Sequence, residues 1–129
     1  MGGSLYEVII KKSFSAAHLL KGVDGMHEEL HGHNFAVEVS VISPELNPDG
    51  ILIDFRTLKK WLNDIIEDFD HKYLNDMDCF KGMNPSTEII AKFIFGKMAE
   101  KTYSYQLEIS RVTVWESEDA GVSYCGIKQ

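Results

Sequence analysis

The sequence predicts an α+β fold with the element order ββααββ, an antiparallel sheet carrying two helices on one face. Three observations predict it. Alternating apolar and polar residues mark strands near both ends of the chain. Apolar residues at three- and four-residue spacing mark two helices between them. Clusters of Gly, Pro, Asn and Asp separate the elements. At 129 residues the chain is expected to form a single domain over 5–129, after a flexible start over 1–4.

The first strand is expected over Leu5 to Ala17, closed by His18. Leu20 to Leu30 contains Gly22 and Gly25 and reads as a loop. His31-Gly32-His33 then opens a second strand, Asn34 to Ser43, in which Phe35, Val37, Val39 and Val41 alternate with Ala36, Glu38 and Ser40. Ser43-Pro44 and Asn47-Pro48-Asp49-Gly50 are turn sequences. Asp54 suits the N-cap of the first helix, whose stripe is Phe55, Leu58, Leu62, Ile65, Ile66 and Phe69. That stripe is core rather than a ligand box. Lys72 to Met83 reads as irregular. Asn84 as N-cap and Pro85 at the first helical position start the second helix, with an apolar face of Ile89, Ile90, Phe93, Ile94 and Met98. Leu107 to Glu116 and Gly121 to Ile127 are the last two strands. Four strands leave two open edges, which favours pairing between subunits.

Composition limits the function classes. A formal charge of −7 leaves no basic stripe for nucleic acid. A small phosphorylated substrate needs only a few cations, and Lys11, Lys12, Lys21 and Lys81 are available, though each is ordinarily a solvated surface charge. Cys79 and Cys125 have no motif spacing, so no disulfide framework is implied and a reduced, cytoplasmic setting fits. No run resembles a signal peptide or a membrane span.

The histidines carry the chemistry. Residues two apart on a strand share a face, so His31 and His33 project together, and His18 reaches the same point if the two strands pair. Three imidazoles without a fourth protein ligand describe an open, catalytic type of zinc site. Copper, iron or nickel would accept the same ligands. A lone strand histidine is ordinarily a hydrogen-bonded or surface residue, but all five histidines of this chain fall between His18 and His33 or at His71. His31, His33 and Glu38 also have the spacing of a cupin's first metal motif. No histidine follows His71 to supply the second motif, and the middle of the chain is helical in pattern.

Five motifs occur in register: Phe14-Ser15-Ala16-Ala17-His18, Leu30-His31-Gly32-His33-Asn34, Asp70-His71-Lys72-Tyr73-Leu74-Asn75, Asn84-Pro85-Ser86-Thr87-Glu88 and Val114-Trp115-Glu116-Ser117. Together they resemble the 6-pyruvoyl-tetrahydropterin synthase family, which includes the 6-carboxytetrahydropterin synthases of the queuosine pathway. The resemblance covers essentially the whole chain. It implies a tunnelling fold, with sheets joined into the barrel of a homo-trimer or homo-hexamer. It implies Zn2+ on His18, His31 and His33, and 7,8-dihydroneopterin triphosphate as substrate. It implies a pterin ring anchored by Glu116, a proton-relay pair in Asp70 and His71, and substrate contacts from Ser86 and Thr87. Without it, Glu116 would read as a solvated strand-end charge, and Asp70-His71 as a helix-terminus pair.

One position departs from the family pattern. The synthases carry a cysteine four residues before the first histidine of His-Gly-His, where this chain has His27. Glu28 follows, and a variant branch of the family is similar in placing a glutamate there. That branch cleaves the side chain to 6-hydroxymethyl-7,8-dihydropterin, on the folate route. Carbon deprotonation asks for a strong base. Retro-aldol cleavage asks only for loss of a hydroxyl proton, which a carboxylate manages more easily. Either His27 or Glu28 is then the base. A non-catalytic zinc- and pterin-binding protein is the remaining alternative.

Overall fold

The computed structural model describes residues 3–22 and 30–126, with the side chain of His31 outside that description. Strand β1 (Tyr6–His18) pairs antiparallel with β2 (His31–Ser43), and β2 pairs antiparallel with β4 (Glu108–Trp115), which pairs with β5 (Gly121–Cys125). A two-residue strand, β3 (Lys72–Tyr73), lies parallel to β1 at Ala16 and Ala17. Among the described residues the sheet is therefore five-stranded, in the order β3-β1-β2-β4-β5, rather than four-stranded. Two residues are too few to show a period, so β3 sits within a stretch that reads as irregular. The remainder of that stretch forms two short 3-10 turns, Leu74–Asp76 and Asp78–Phe80.

The helices α1 (Phe55–Ile66) and α2 (Thr87–Ser104) cover one face of the sheet. Ile10, Phe14, Phe35, Val37, Val39, Val41, Val112 and Val114 point into that layer from the strands. Leu58, Leu62, Ile90, Ile94 and Met98 meet them from the helices. Removing such a contiguous apolar set from water is the dominant favourable term in folding. The opposite face of the sheet is polar, with Lys11 3.4 Å from Glu38 and Arg111 4.0 Å from Glu7.

Asp54 caps α1 as expected, its carboxylate accepting from the Arg56 N–H. The Arg56 side chain, with that N–H, holds the Asp54 carboxyl down at about 2. Phe55 departs from the expected stripe. It is exposed at the first helical position, and Trp61 takes a buried place instead. Two expectations for α2 also change. Its N-cap is Ser86, whose hydroxyl accepts from Ile89 N–H, and Asn84 and Pro85 lie before the helix. Ala91 and Thr102 join the buried face, while Ile89 and Phe93 pack at its margin.

Candidate active site

The site lies where β1 ends and β2 begins. In the β1–β2 register His18 stands opposite His31, and Ala16 opposite His33. Cross-strand partners share a face, so the pairing sets all three histidine positions on the helix-covered side. His18 is fully buried. Its ring meets the rings of His33 and Phe35 edge to face, at centroid separations of 5.4 and 5.5 Å. Phe35 in turn stacks on Phe14 at 5.1 Å. His18 and His33 thus rest on a packed aromatic floor that restricts their rotamers.

Glu116, just past the end of β4, completes the cluster. Its Oε1 lies 3.1 Å from His18 Nε2 and 2.8 Å from His33 Nε2. The three donor atoms fall within 4.8 Å of one another, which is close enough to hold a metal ion. The other ring nitrogen of His18 decides how that fits. Its Nδ1 lies 2.9 Å from the Pro85 carbonyl oxygen. A carbonyl only accepts, so Nδ1 carries the proton and Nε2 presents a lone pair. Nε2 and a carboxylate oxygen then face each other as two acceptors, an arrangement that a proton or a cation between them resolves. Two imidazoles and a carboxylate match zinc's preferences and do not single it out from other divalent metals.

Asp70 and His71 sit on the β3 side. Asp70 Oδ1 accepts the Ser15 backbone N–H at 2.9 Å, and Oδ2 lies 3.1 Å from His71 Nδ1. The Ser15 hydrogen bond, with a smaller contribution from the His71 imidazole, holds the Asp70 carboxyl below its ordinary range. His71 has φ +59°, a left-handed conformation that non-glycine residues seldom adopt. Its own N–H donates to the Ser15 carbonyl at 2.6 Å, which leads the chain into β3. The imidazole is left largely exposed, at the rim of an open groove of about 520 Å³ lined by Ser15, His33, Asn34 and Lys72 among others. A second groove, of about 710 Å³, lies on the polar face of the sheet and includes Asn34, Trp115 and Glu116. Asn34 borders both grooves, and its Oδ1 accepts from the Ser15 hydroxyl at 2.6 Å.

The depressed Asp70 value has a consequence for stability. A carboxyl lowered on folding stabilises the fold above its unfolded pKa, and that contribution is lost as pH falls through the folded value. Asp70→Asn keeps an acceptor for Ser15 N–H but has no charge. The Tm gap between wild type and variant is expected to be present above the ordinary carboxylate range and to close as pH falls below it. A gap that persists unchanged to acid would remove Asp70 as the source.

Of the ten residues singled out in the sequence, the structure brings His18, His33 and Glu116 into one cluster, with His31 paired to His18 by backbone register. His71 lines the same groove as His33, and Asp70 is held beside it by the Ser15 N–H. Ser86 caps α2, and Thr87 is buried in its first turn. His27 and Glu28 lie outside the described residues. Ser15, Asn34, Asn75, Asn84 and Pro85 stand within the motifs that carry the resemblance, but the sequence reading gave none of them a role at this site, and Asn84-Pro85 read only as a helix start.

A two-strand site that brings His18, His33 and Glu116 together beside an acid–imidazole pair fits a lyase-type enzyme with a candidate His/Glu metal centre. Residues 7–126 match the family described as 6-pyruvoyl tetrahydropterin synthase, and the chain belongs to that family. A 6-carboxy-5,6,7,8-tetrahydropterin synthase of Synechocystis is 39% identical over 93 residues, covering 68% of this chain and 70% of its own. A dihydroneopterin monophosphate aldolase of Pyrococcus furiosus is 37% identical over 116 residues, covering 89% of this chain and 93% of its own. Among solved structures, the 6-pyruvoyl tetrahydropterin synthase of Caenorhabditis elegans superposes with a TM-score of 0.82 at 25% identity, covering 96% of this chain and 97% of that one. The expected α+β subunit of the tunnelling fold is the fold observed. Among the described residues no helix is long and apolar enough to cross a membrane.

Proposed function

We propose that this enzyme cleaves the side chain of a phosphorylated 7,8-dihydroneopterin by a metal-assisted retro-aldol reaction, giving 6-hydroxymethyl-7,8-dihydropterin. The observation that carries this reading is the grouping of His18, His33 and Glu116 beside the groove that holds His71. His18, His31 and His33 would hold a divalent cation, zinc by preference, which when bound would supply Lewis-acid chemistry that acidifies a substrate hydroxyl. Glu116 anchors the pterin ring, because a carboxylate can accept parallel hydrogen bonds from a ring N–H and an exocyclic amine. Its place in the groove beside Trp115, 2.8 Å from His33 Nε2, supports a ring held close to the metal ligands.

The base removes the proton of the hydroxyl on the second side-chain carbon. The bond between the first and second carbons breaks, the second carbon becomes an aldehyde, and the electron pair passes into the pterin ring system. His71 returns a proton to the first carbon. Its imidazole suits proton transfer near neutral pH, and Asp70 orients it through Nδ1. Glu28 is the base in this reading, with His27 the alternative. The enzyme works in the cytoplasm as a homo-trimer or homo-hexamer in which β5 and the part of β1 outside its short pairing with β3 pair between subunits. Ser86 and Thr87 border the substrate.

The P. furiosus relative's name supports cleavage and points to a monophosphate, whereas the resemblance points to the triphosphate. The Synechocystis relative keeps 6-carboxytetrahydropterin synthesis as the second reading. Product identification separates them. Zinc-loaded protein given the mono- or triphosphate of 7,8-dihydroneopterin is expected to form 6-hydroxymethyl-7,8-dihydropterin by mass spectrometry. Formation of 6-carboxy- or 6-pyruvoyl-tetrahydropterin would reject cleavage, and tight pterin binding without turnover would favour a non-catalytic role. Glu28→Ala is expected to lower kcat by about 10²-fold or more while zinc stoichiometry is kept. Normal turnover in that variant would pass the base assignment to His27.

A further inference from the structure

We propose that Asn75 and Asn84, acting with the Pro85 carbonyl, are positioning residues that hold His18 in the orientation and tautomer a metal ligand needs. This rests on the reading of the histidine cluster as a metal site. The regular pairing of β1 stops at His18 on the β2 side and at Ala17 on the β3 side. The chain beyond it is nevertheless tied down. Asn75 Oδ1 accepts from Leu19 N–H at 2.9 Å, and its Nδ2 donates to the Leu19 carbonyl at 2.8 Å. Asn84 does the same to Lys21, at 2.8 and 2.9 Å.

Each side-chain amide offers one donor and one acceptor, the same pair that a neighbouring strand would present. The two asparagines therefore extend the sheet edge past His18 without any strand. Asn84 is also joined directly to Pro85. The residue before a proline is biased to extended backbone, and that short extended link sets two contacts at once: the Asn84 amide on Lys21, and the Pro85 carbonyl on His18 Nδ1. Fixing the ring through its second nitrogen is the usual way an outer group sharpens a metal ligand, and its loss typically costs roughly 10–100-fold in metal affinity.

The test uses zinc alone as the probe, with affinity read by chelator competition on the full chain. Asn75→Asp and Asn84→Asp preserve shape but place a carboxylate oxygen against a carbonyl in place of the Nδ2 donor. Asn47→Ala is the control. It removes two side-chain hydrogen bonds, to Asp49 and Ile51 N–H, in the turn between β2 and α1. Both aspartate variants are expected to bind zinc roughly 10–100-fold more weakly, with Asn47→Ala at the wild-type value whatever its Tm. Histidine ¹⁵N spectra of metal-free protein should show the Nδ1-protonated tautomer for His18, weakened in Asn84→Asp. Should one variant fail to fold, the other carries the comparison. Unchanged affinity in the folded aspartate variants, or an equal loss in Asn47→Ala, would overturn the positioning role and leave the metal site standing. Absence of zinc binding by the wild type would overturn both.

Discussion

Replacing His33 by alanine is expected to abolish tight divalent-metal binding and to lower kcat/KM by roughly 10³-fold, the equivalent of the several kcal/mol that Lewis-acid stabilisation supplies. His33 is the better choice than His18 for this experiment. His18 is fully buried and holds the Pro85 carbonyl through Nδ1, so its removal would leave a cavity and an unsatisfied acceptor. The side chain of His33 is 25% exposed, at the lip of the groove. The folded state should survive its loss with a small change in Tm, and the loss of metal and of turnover then belongs to the site. Zinc binding at wild-type affinity in His33→Ala would exclude this residue as a ligand. The Asn and His variants together separate the two levels of the site: a ligand's removal abolishes binding, whereas a positioning residue's change grades it.

The second large effect concerns His71, where function and stability are expected to move in opposite directions. A φ of +59° costs a non-glycine residue about 1 kcal/mol relative to glycine. His71→Gly should therefore unfold at the wild-type temperature or somewhat above it. The same variant lacks the imidazole that returns a proton to substrate, so kcat should fall by roughly 10²- to 10⁴-fold. His71→Ala is expected to lose the same turnover with no gain in stability. The contrast follows from where the strain sits. The left-handed turn lets His71 N–H reach the Ser15 carbonyl while Asp70 takes the Ser15 N–H, so both backbone groups of one β1 residue are used by an adjacent acid–imidazole pair. Wild-type kcat in His71→Gly would end the proton-transfer assignment.

Much of this architecture is legible from local pattern. The period-two stretches of β1, β2, β4 and β5, the Asp54 cap and the stripe of Leu58, Leu62, Ile65 and Ile66 all read correctly because each is set by neighbours within a turn or a pleat. The errors are local signals overruled by distant partners. Asn84-Pro85 looks like a helix start, but the Asn84 amide is spent on Lys21, 63 residues away in sequence, and Ser86 takes the cap. Phe55 fits the helical period and still lies in solvent, since the buried arc of α1 is centred on Leu58, Trp61, Leu62 and Ile65. Strand β3 is invisible as a pattern because its two residues are ordered by β1 and not by each other.

The sequence by itself determined the element types, the presence of three histidines at strand ends and the family motifs that accompany them. Those are properties of residue identity and short-range spacing, which backbone geometry converts directly into faces and turns. Only the tertiary structure decided that Glu116 stands within hydrogen-bonding distance of His18 and His33, and that Ser15 carries Asp70 and His71. It alone decided that Pro85 sets the His18 tautomer. Each of those contacts joins residues more than fifty positions apart. Which of the chain's many polar groups meet is fixed by strand register and by how the helices pack across the sheet, and no local sequence pattern encodes either.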